Sequence, residues 1–425
     1  MIAHNLVVAG GTVAAGLLGV TFQSLASHQL RPADYGSVFA VVTLITFIAL
    51  PASAFTLLMA RETSRGQASG QVALSANLLR RGNRALMLVG IAVGCLMALG
   101  APLLGRFLAV PAELLLAASV GVPFGVALPL LLGEFQGSQR FAAFSLLTTG
   151  QAAVKLVAAV ALGLVFGPLG VISGISLATI ATYLVVRRLL RRRMAIRTGL
   201  SWWRPASRYL AVVLPSTISL AVLLSADVLL VKHYFPSRAA GEYAAVAALG
   251  RAIFWGASGV AAVLFPKVVY RSTQGMSGSN LVGGSLVLVA IGGLAGLALL
   301  SEGSGWLLAA FAGGAYSGAA TYVPWYAVGM TMLGGVAVLV AALQSQGRPA
   351  FLAVLLPLSL LEPALLVTMH QTLVQVVQVL DVSMAIILVS LAAFYIVQER
   401  RQRFASTQLM SSTTDERVAE LVLSR

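Results

Sequence analysis

Five ionisable residues interrupt stretches of the chain that are otherwise apolar: Lys155, Asp227, Arg251, Glu362 and Asp381. A charge at the centre of a bilayer costs at least about 2.5–3.5 kcal/mol on insertion scales, so it normally faces a hydrated cavity or an opposite charge. Ammonium and guanidinium groups also suit phosphate oxygens, Lys as a point charge and Arg by bidentate geometry. The residue types therefore indicate either a path for an anionic cargo or structural ion pairs between helices, and both remain open.

Polar neighbours at helical spacing extend this set. Gln151 precedes Lys155 by four residues, and Gln378 precedes Asp381 by three, so each pair shares a helical face. Gln23 belongs to a face of small and polar residues in the first apolar segment. The residues that we expect to line a substrate cavity are Lys155, Arg251, Gln151, Gln23, Glu362, Asp381 and Gln378. Asp227 is expected either to couple an ion or to form a lobe ion pair.

The composition indicates a membrane protein. Hydrophobic residues make up 59% of the 425 residues and charged residues only 10%, which is too little polar surface for a soluble domain of this length. The 42 glycines suit close helix packing in lipid. Cys95 is the only cysteine; we expect a buried, inert thiol. Disulfide scaffolds and cysteine-based metal sites are thereby excluded, and no metal or cofactor is expected.

Twelve segments are apolar over a length that can cross about 30 Å of hydrocarbon. Six lie between Leu6 and Val186, and six between Leu210 and Val397. When the loops are assigned alternately to two sides, one side receives 22 of the 28 Lys and Arg residues and the other side 4. The positive-inside rule then predicts that both termini are cytoplasmic. The net charge of +15 is explained by these loops, so nucleic-acid binding is not expected.

The sequence repeats itself once. The pair Asp34-Tyr35 opens the second segment, and Glu242-Tyr243 opens the eighth, 208 residues later. The turn from Gln136 to Arg140 recurs at Gln344 to Arg348 with the same offset of 208. Because each half has six segments, the copies have the same orientation, which predicts a parallel repeat around an axis along the membrane normal.

The predicted fold class is therefore an all-α membrane protein with about twelve transmembrane helices in two six-helix lobes, related by that pseudo-two-fold axis. We expect an N-terminal lobe over residues 1–186 and a basic cytoplasmic linker over residues 187–208. A C-terminal lobe over residues 209–397 and a cytoplasmic tail over residues 398–425 follow. Five polar residues at the cytoplasmic ends of segments are expected to act as a gate or as tight, charge-anchored turns: Gln136, Arg140, Gln344, Arg348 and Arg61.

These motifs together resemble a known family. The Leu30–Gly36 turn, the intramembrane Asp227, the Glu242-Tyr243 turn and the Gln344–Arg348 turn are similar to those of the polysaccharide flippases of the multidrug/oligosaccharidyl-lipid/polysaccharide exporter superfamily. The resemblance covers roughly residues 5 to 400. It implies that a polyprenyl-diphosphate-linked saccharide is flipped from the cytoplasmic to the outer leaflet of a bacterial-type inner membrane by alternating access.

Two other function classes remain open. An exporter of drugs or metabolites from the same superfamily would need a compact cavity and acidic coupling residues, with less need for buried cations. A membrane-embedded saccharide polymerase or ligase would need acid/base or metal-binding residues grouped on a sizeable loop. The outward loops are short, so we expect a protein that is not an enzyme. The expected partners are the lipid-linked saccharide, membrane lipids and glycan assembly enzymes, and a monomer is expected.

Overall fold

The computed structural model describes residues 2–68, 72–196, 203–273, 279–345 and 349–423. The described residues form helices and contain no strand. The first half contains α1 (Ile2–Gln29), α2 (Pro32–Ala49), α3 (Ser53–Ala68), α4 (Val72–Leu99), α5 (Ala101–Phe107), α6 (Ala112–Gly137), α7 (Phe141–Leu189) and α8 (Arg191–Met194). The second half contains α9 (Trp203–Tyr234), α10 (Ser237–Thr273), α11 (Ser279–Ala312), α12 (Val323–Ser345), α13 (Leu352–Ser359), α14 (Leu361–Thr368) and α15 (Leu373–Leu423).

Ten stretches among the described residues are long and apolar enough to cross a membrane. One of them, α7, has 49 residues, which at about 1.5 Å per residue is more than twice a bilayer core of about 30 Å. Gly167 breaks α7 with a φ of 58°, a left-handed conformation that favours glycine. The two halves of α7 are therefore separate spans. With α1, a helix of 28 residues, the architecture has twelve helices in two lobes, which confirms the predicted fold class.

Two of the spans are discontinuous. The second span consists of α2 and α3, which are separated by a turn at Leu50 to Ala52. The eleventh span consists of α13 and α14, which meet at Leu360. Pro51, Pro357 and Pro363 lie at or beside these breaks. Because a proline lacks the backbone N–H and clashes with the preceding turn, it accounts for an interrupted helix.

Within each lobe the helices pack around one central element. In the first lobe α6 packs against α3, α4 and α7, while α1 lies along α7. In the second lobe α12 packs against α10, α11 and α15. Asn83 of α4 and Tyr183 of α7 are both buried and hydrogen-bonded to each other at 3.0 Å. This buried polar pair joins α4 to the second half of α7.

The lobes meet mainly through α2, which packs against α9 and α10. The contact is closest at Gly36 and Gly241: a Cβ added at Gly36 would lie only 2.8 Å from the Cα of Gly241. A Cβ added at Gly241 would collide with the carbonyl oxygen of Pro32. Neither position has room for a side chain, so the absence of Cβ atoms permits this backbone approach between lobes.

The bundle has two distinct ends. We call the end with residues 138–140 and 190–196 the basic end, and the end with residues 100–111, 235–236, 313–322 and 369–372 the distal end. At the distal end α1 of the first lobe contacts the second lobe. Ser27 donates a hydrogen bond to the Phe311 carbonyl at 3.3 Å, and Tyr316 donates to the Ser27 and Leu30 carbonyls at 3.2 and 3.3 Å. The lobes are therefore joined at the distal end.

Candidate functional site

Asp227 and Arg251 form a buried ion pair inside the second lobe. The Arg251 Nη2 lies 3.0 Å from the Asp227 Oδ1, and the side chains are 8% and 1% exposed. The hydroxyls of Tyr243 and Tyr326 donate to the Asp227 Oδ2 at 3.1 and 2.8 Å. Both oxygens of the carboxylate are thus hydrogen-bonded, as a buried charge requires.

Arg251 has further partners on both lobes. Its Nε donates to the Tyr326 hydroxyl at 3.3 Å and its Nη1 donates to the Thr43 Oγ1 of α2 at 3.2 Å. The guanidinium carbon also lies 5.3 Å from the centre of the Phe39 ring. The guanidinium is therefore neutralised and held by protein groups. Of the two alternatives for Arg251, cargo binding or an ion pair, this conformation contains the ion pair.

The contact between Arg251 and Thr43 lies at the pseudo-two-fold axis. The two residues are 208 positions apart, which is the offset between Asp34-Tyr35 and Glu242-Tyr243. They are therefore equivalent positions of the repeat. Two equivalent positions can touch each other only where the axis passes between them. The ion pair thus lies at the centre of the lobe interface.

The first lobe has a neutral version of the same arrangement. Tyr35, the repeat equivalent of Tyr243, donates a hydrogen bond to the Gln23 Oε1 at 3.2 Å. Gln23 of α1 therefore accepts in the first lobe the bond that Asp227 of α9 accepts in the second, although the offset of 208 pairs Asp227 with Gly19, one helical turn away. Gln23 was predicted to contact cargo, and in this conformation its amide oxygen accepts a bond from the protein.

Glu362 is completely buried, and neither carboxylate oxygen has a hydrogen-bond partner. It lies in the first turn of α14, directly after the break at Leu360. The charges of Asp227 and Arg251 lie close enough to act on it. Glu362 was expected to line a substrate cavity, and in this conformation it lies near the ion pair of its own lobe.

Lys155 is the predicted cation that remains without a countercharge. Its Nζ lies 5.1 Å from the centre of the Phe22 ring, a cation–π contact with α1. Among the described residues no carboxylate lies within 4.0 Å of this Nζ. The side chain is partly buried.

Gln151, one turn from Lys155 along α7, lines a cavity of about 240 Å³ inside the first lobe. The cavity lies between α2, α6 and both halves of α7. Most of its lining is apolar, and its polar side chains are Gln151, Ser176 and Thr179. The amide of Gln151 thus lines this partly open cavity and lies one helical turn from Lys155.

Asp381 and Gln378 lie apart from these groups. Asp381 packs against α12, where a Cβ added at Gly329 would lie 2.7 Å from the Asp381 Oδ1. Gln378 is exposed on the face of α15 that also exposes Val374 and Val382. In this conformation the structure does not bring Gln378 and Asp381 together with Lys155.

The turns at the basic end have protein partners. The guanidinium of Arg140 lies 5.1 Å from the Phe135 ring centre, and that of Arg61 lies 4.7 Å from the ring of Tyr209 on the other lobe. Gln344 is buried and donates to the Ser216 Oγ at 2.6 Å. Gln136 is partly buried at the end of α6, and Arg348 lies outside the described residues.

The sequence-based prediction missed two buried charges. Glu134 at the end of α6 accepts hydrogen bonds from Thr63 at 2.6 Å and from Arg193 at 2.9 Å. Arg193 also donates to Ser75 at 2.8 Å, so it fastens α8 to the first lobe. Lys232, which had been counted as a loop residue, is 1% exposed. Candidates were selected because they interrupt an apolar stretch of the sequence, and neither of these two charges does so.

In the described part of the chain no three His, Cys, Asp or Glu side chains group together as metal ligands would. No protein-family model matches the sequence. No curated protein matches it either.

Solved structures share the fold. An inward-facing multidrug resistance MATE family transporter of the MOP superfamily matches with a TM-score of 0.70 and 13% identity, covering 92% of this chain and 99% of that one. A eukaryotic MATE transporter matches with a TM-score of 0.72 and 14% identity, covering 95% and 98%. The lipid II flippase MurJ, in an inward closed conformation, matches with a TM-score of 0.70 and 12% identity, covering 93% and 89%. The chain therefore has the twelve-helix, two-lobe fold of these MOP-superfamily proteins.

Proposed function

We propose that this protein moves a polyprenyl-diphosphate-linked saccharide from the cytoplasmic to the outer leaflet of a bacterial-type inner membrane. The observation that carries the proposal is Lys155, an ammonium group within the membrane span that has an aromatic contact but, among the residues that the structure describes, no carboxylate within 4.0 Å. A cation in this setting is costly unless an anion reaches it. The diphosphate of the cargo would supply that anion.

Alternating access accounts for how such a cargo would cross. The lobes are joined at the distal end by α1 and Tyr316 and at the axis by Thr43 and Arg251. A rocking of the lobes about the contact between Thr43 and Arg251 would part the distal end and close the basic end. In this scheme Arg251 belongs to the pivot, and Lys155 and Gln151 belong to the cargo path.

The site also fits the chemistry of the cargo. Lys155 would hold the phosphate oxygens, and the amides of Gln151 and Gln23 would hydrogen-bond to sugar hydroxyls. Asp227 and Glu362 are the acidic groups nearest the axis and would couple the cycle to an ion or to the membrane potential. We further propose that both termini face the cytoplasm, that the protein acts as a monomer beside glycan assembly enzymes, and that it performs no covalent chemistry.

A second function is favoured by one specific observation. The cavity beside Gln151 has a volume of about 240 Å³ and a mostly apolar lining. This volume is just below the range of about 300–1,000 Å³ typical of small-molecule pockets, and it suits a small organic compound better than an oligosaccharide. An exporter of drugs or metabolites is therefore the alternative function.

Reconstituted vesicles can separate the two functions. The probes are a polyprenyl diphosphate carrying a disaccharide and a small lipophilic cation, and the proteins are the wild type, Lys155→Gln and Lys155→Arg. We expect wild type and Lys155→Arg to move the diphosphate lipid, and Lys155→Gln to move it at least tenfold more slowly. Movement of the lipophilic cation alone, unaffected by Lys155→Gln, would contradict the proposal and support the exporter.

A further inference from the structure

Lys232 is a buried cation that the proposed cargo path does not use. It lies in the last turn of α9 at the distal end and is 1% exposed. Its Nζ has no hydrogen-bond partner. Within the described residues no carboxylate lies within 4.0 Å of this nitrogen.

A purely structural role does not account for this arrangement. A cation in the last turn of a helix interacts favourably with the helix dipole. Removing an ammonium group from water without an ion pair costs more free energy than this interaction returns. The cost of burial therefore exceeds the benefit from the dipole, and the closed conformation holds an ammonium that lacks an anion.

The surroundings place Lys232 at the seam between the lobes. At longer range Lys232 is attracted by the charge of Asp34, in the first turn of α2 on the other lobe. The adjacent His233 ring lies within hydrogen-bond distance of the Phe107 carbonyl, at 2.6 Å, and stacks on the Phe107 ring at 4.0 Å. Phe107 ends α5 of the first lobe. Parting the lobes at this end would therefore uncover Lys232.

We propose that Lys232 is an anion-binding residue of the distal vestibule, sealed in this conformation and exposed when the lobes part. Its ligand is the phosphate portion of an anionic amphiphile. This inference rests on the proposed function, for which it supplies a second cation at the exit. Lys155 would hold the diphosphate within the bundle, and Lys232 would receive it before release.

The test measures downhill movement of a polyprenyl diphosphate across vesicles that contain the full chain. A membrane-impermeant phosphatase added outside releases phosphate only from lipid that has reached the outer leaflet. We expect Lys232→Gln to slow this movement at least tenfold and Lys232→Arg to stay within threefold of wild type. Binding of the same lipid to the resting protein should change less than twofold, because Lys232 is sealed there.

An inter-lobe latch formed with Asp34 is the competing explanation, and a charge exchange distinguishes it. We expect Asp34→Asn to stay within threefold of wild type and the double variant Lys232→Asp with Asp34→Lys to remain slow. Restored movement in the double variant would overturn the inference, as would a wild-type rate in Lys232→Gln. A wild type that moves neither this lipid nor its disaccharide-bearing form would instead refute the proposed function and the inference with it.

Discussion

Arg251 donates a hydrogen bond to Thr43 at 3.2 Å across the lobe interface, and the two residues are repeat equivalents, 208 positions apart. The same guanidinium pairs with Asp227 inside its own lobe at 3.0 Å. One side chain therefore joins a buried ion pair to the opposite lobe at the axis. This arrangement separates the two contributions of Arg251, one to the stability of its own lobe and one to the contact between lobes.

Two substitutions should measure the two contributions of Arg251 separately. Asp227→Asn leaves a buried guanidinium without its countercharge, so we expect the free energy of unfolding to fall by about 3–5 kcal/mol. Thr43→Val removes only one hydrogen-bond acceptor, and we expect a loss of about 1–3 kcal/mol. Equilibrium unfolding in mild detergent measures both. Equal losses in the two variants would show that the ion pair is not the dominant contribution.

The equivalent tyrosines of the two lobes make a matched comparison. Tyr243 donates to a carboxylate and Tyr35 to a neutral amide, and hydrogen bonds to charged groups are the stronger ones. We expect Tyr243→Phe to lower the free energy of unfolding by about 1.5–3 kcal/mol and Tyr35→Phe by about 0.5–1.5 kcal/mol. The same unfolding measurement applies, and the reverse order would contradict the assignment of Gln23 as the neutral counterpart of Asp227.

The glycine contact between α2 and α10 should control the closure of the distal end. In Gly241→Ala the new methyl group would meet the carbonyl of Pro32, so we expect the lobes to part more often. The parting of the lobes can be measured with Ser27→Cys in a Cys95→Ser background. Ser27 is only 1% exposed, so a cysteine at this position reacts mainly when the lobes have parted. Labelling by an impermeant thiol reagent should be several-fold faster in Gly241→Ala.

The control is Gly256→Ala on the same helix, where an added Cβ meets nothing within 4 Å. It should label at the rate of the parent protein. If both alanine variants label equally, close backbone packing is not what holds the distal end shut.

The turn after α6 contains a backbone conformation at Gln139 that a glycine would adopt with less strain. Gln139 has a φ of 57°, a left-handed conformation that costs a residue with a Cβ about 1 kcal/mol. The second copy of the turn has Gly347 at the equivalent position, 208 residues later. We expect Gln139→Gly to raise the melting temperature by a few degrees. Ser138→Gly, at a φ of −81°, should not raise it, and a gain in that variant would contradict the explanation.

Much of the fold could be predicted because it depends on patterns that run along the chain. Apolar length predicted the spans, and the offset of 208 predicted two like-oriented lobes. The burial of Cys95 was predicted wrongly: we expected a buried thiol, whereas the side chain is exposed on α4. An apolar neighbourhood in the sequence does not distinguish a protein interior from a lipid-facing surface, since both are apolar.

The candidate site was less predictable. The sequence indicated that Arg251 and Asp227 needed partners, but the choice of partner depends on which helices pack together. Thr43, Tyr243 and Tyr326 complete the cluster from three helices, and no local spacing connects them. Glu134 was missed because it lies at a span end, where a carboxylate is ordinarily solvated; only the fold shows that Arg193 covers it.

The position of Arg251 on the axis also constrains how such a chain could have arisen. In a symmetric dimer of one six-helix unit, every residue at this position would face an identical copy of itself. Two threonines can share a hydrogen bond there, whereas two guanidinium groups would repel each other at contact distance. Arginine at this place is therefore compatible with a fused gene and not with its self-pairing ancestor, so its acquisition would make the duplication difficult to reverse.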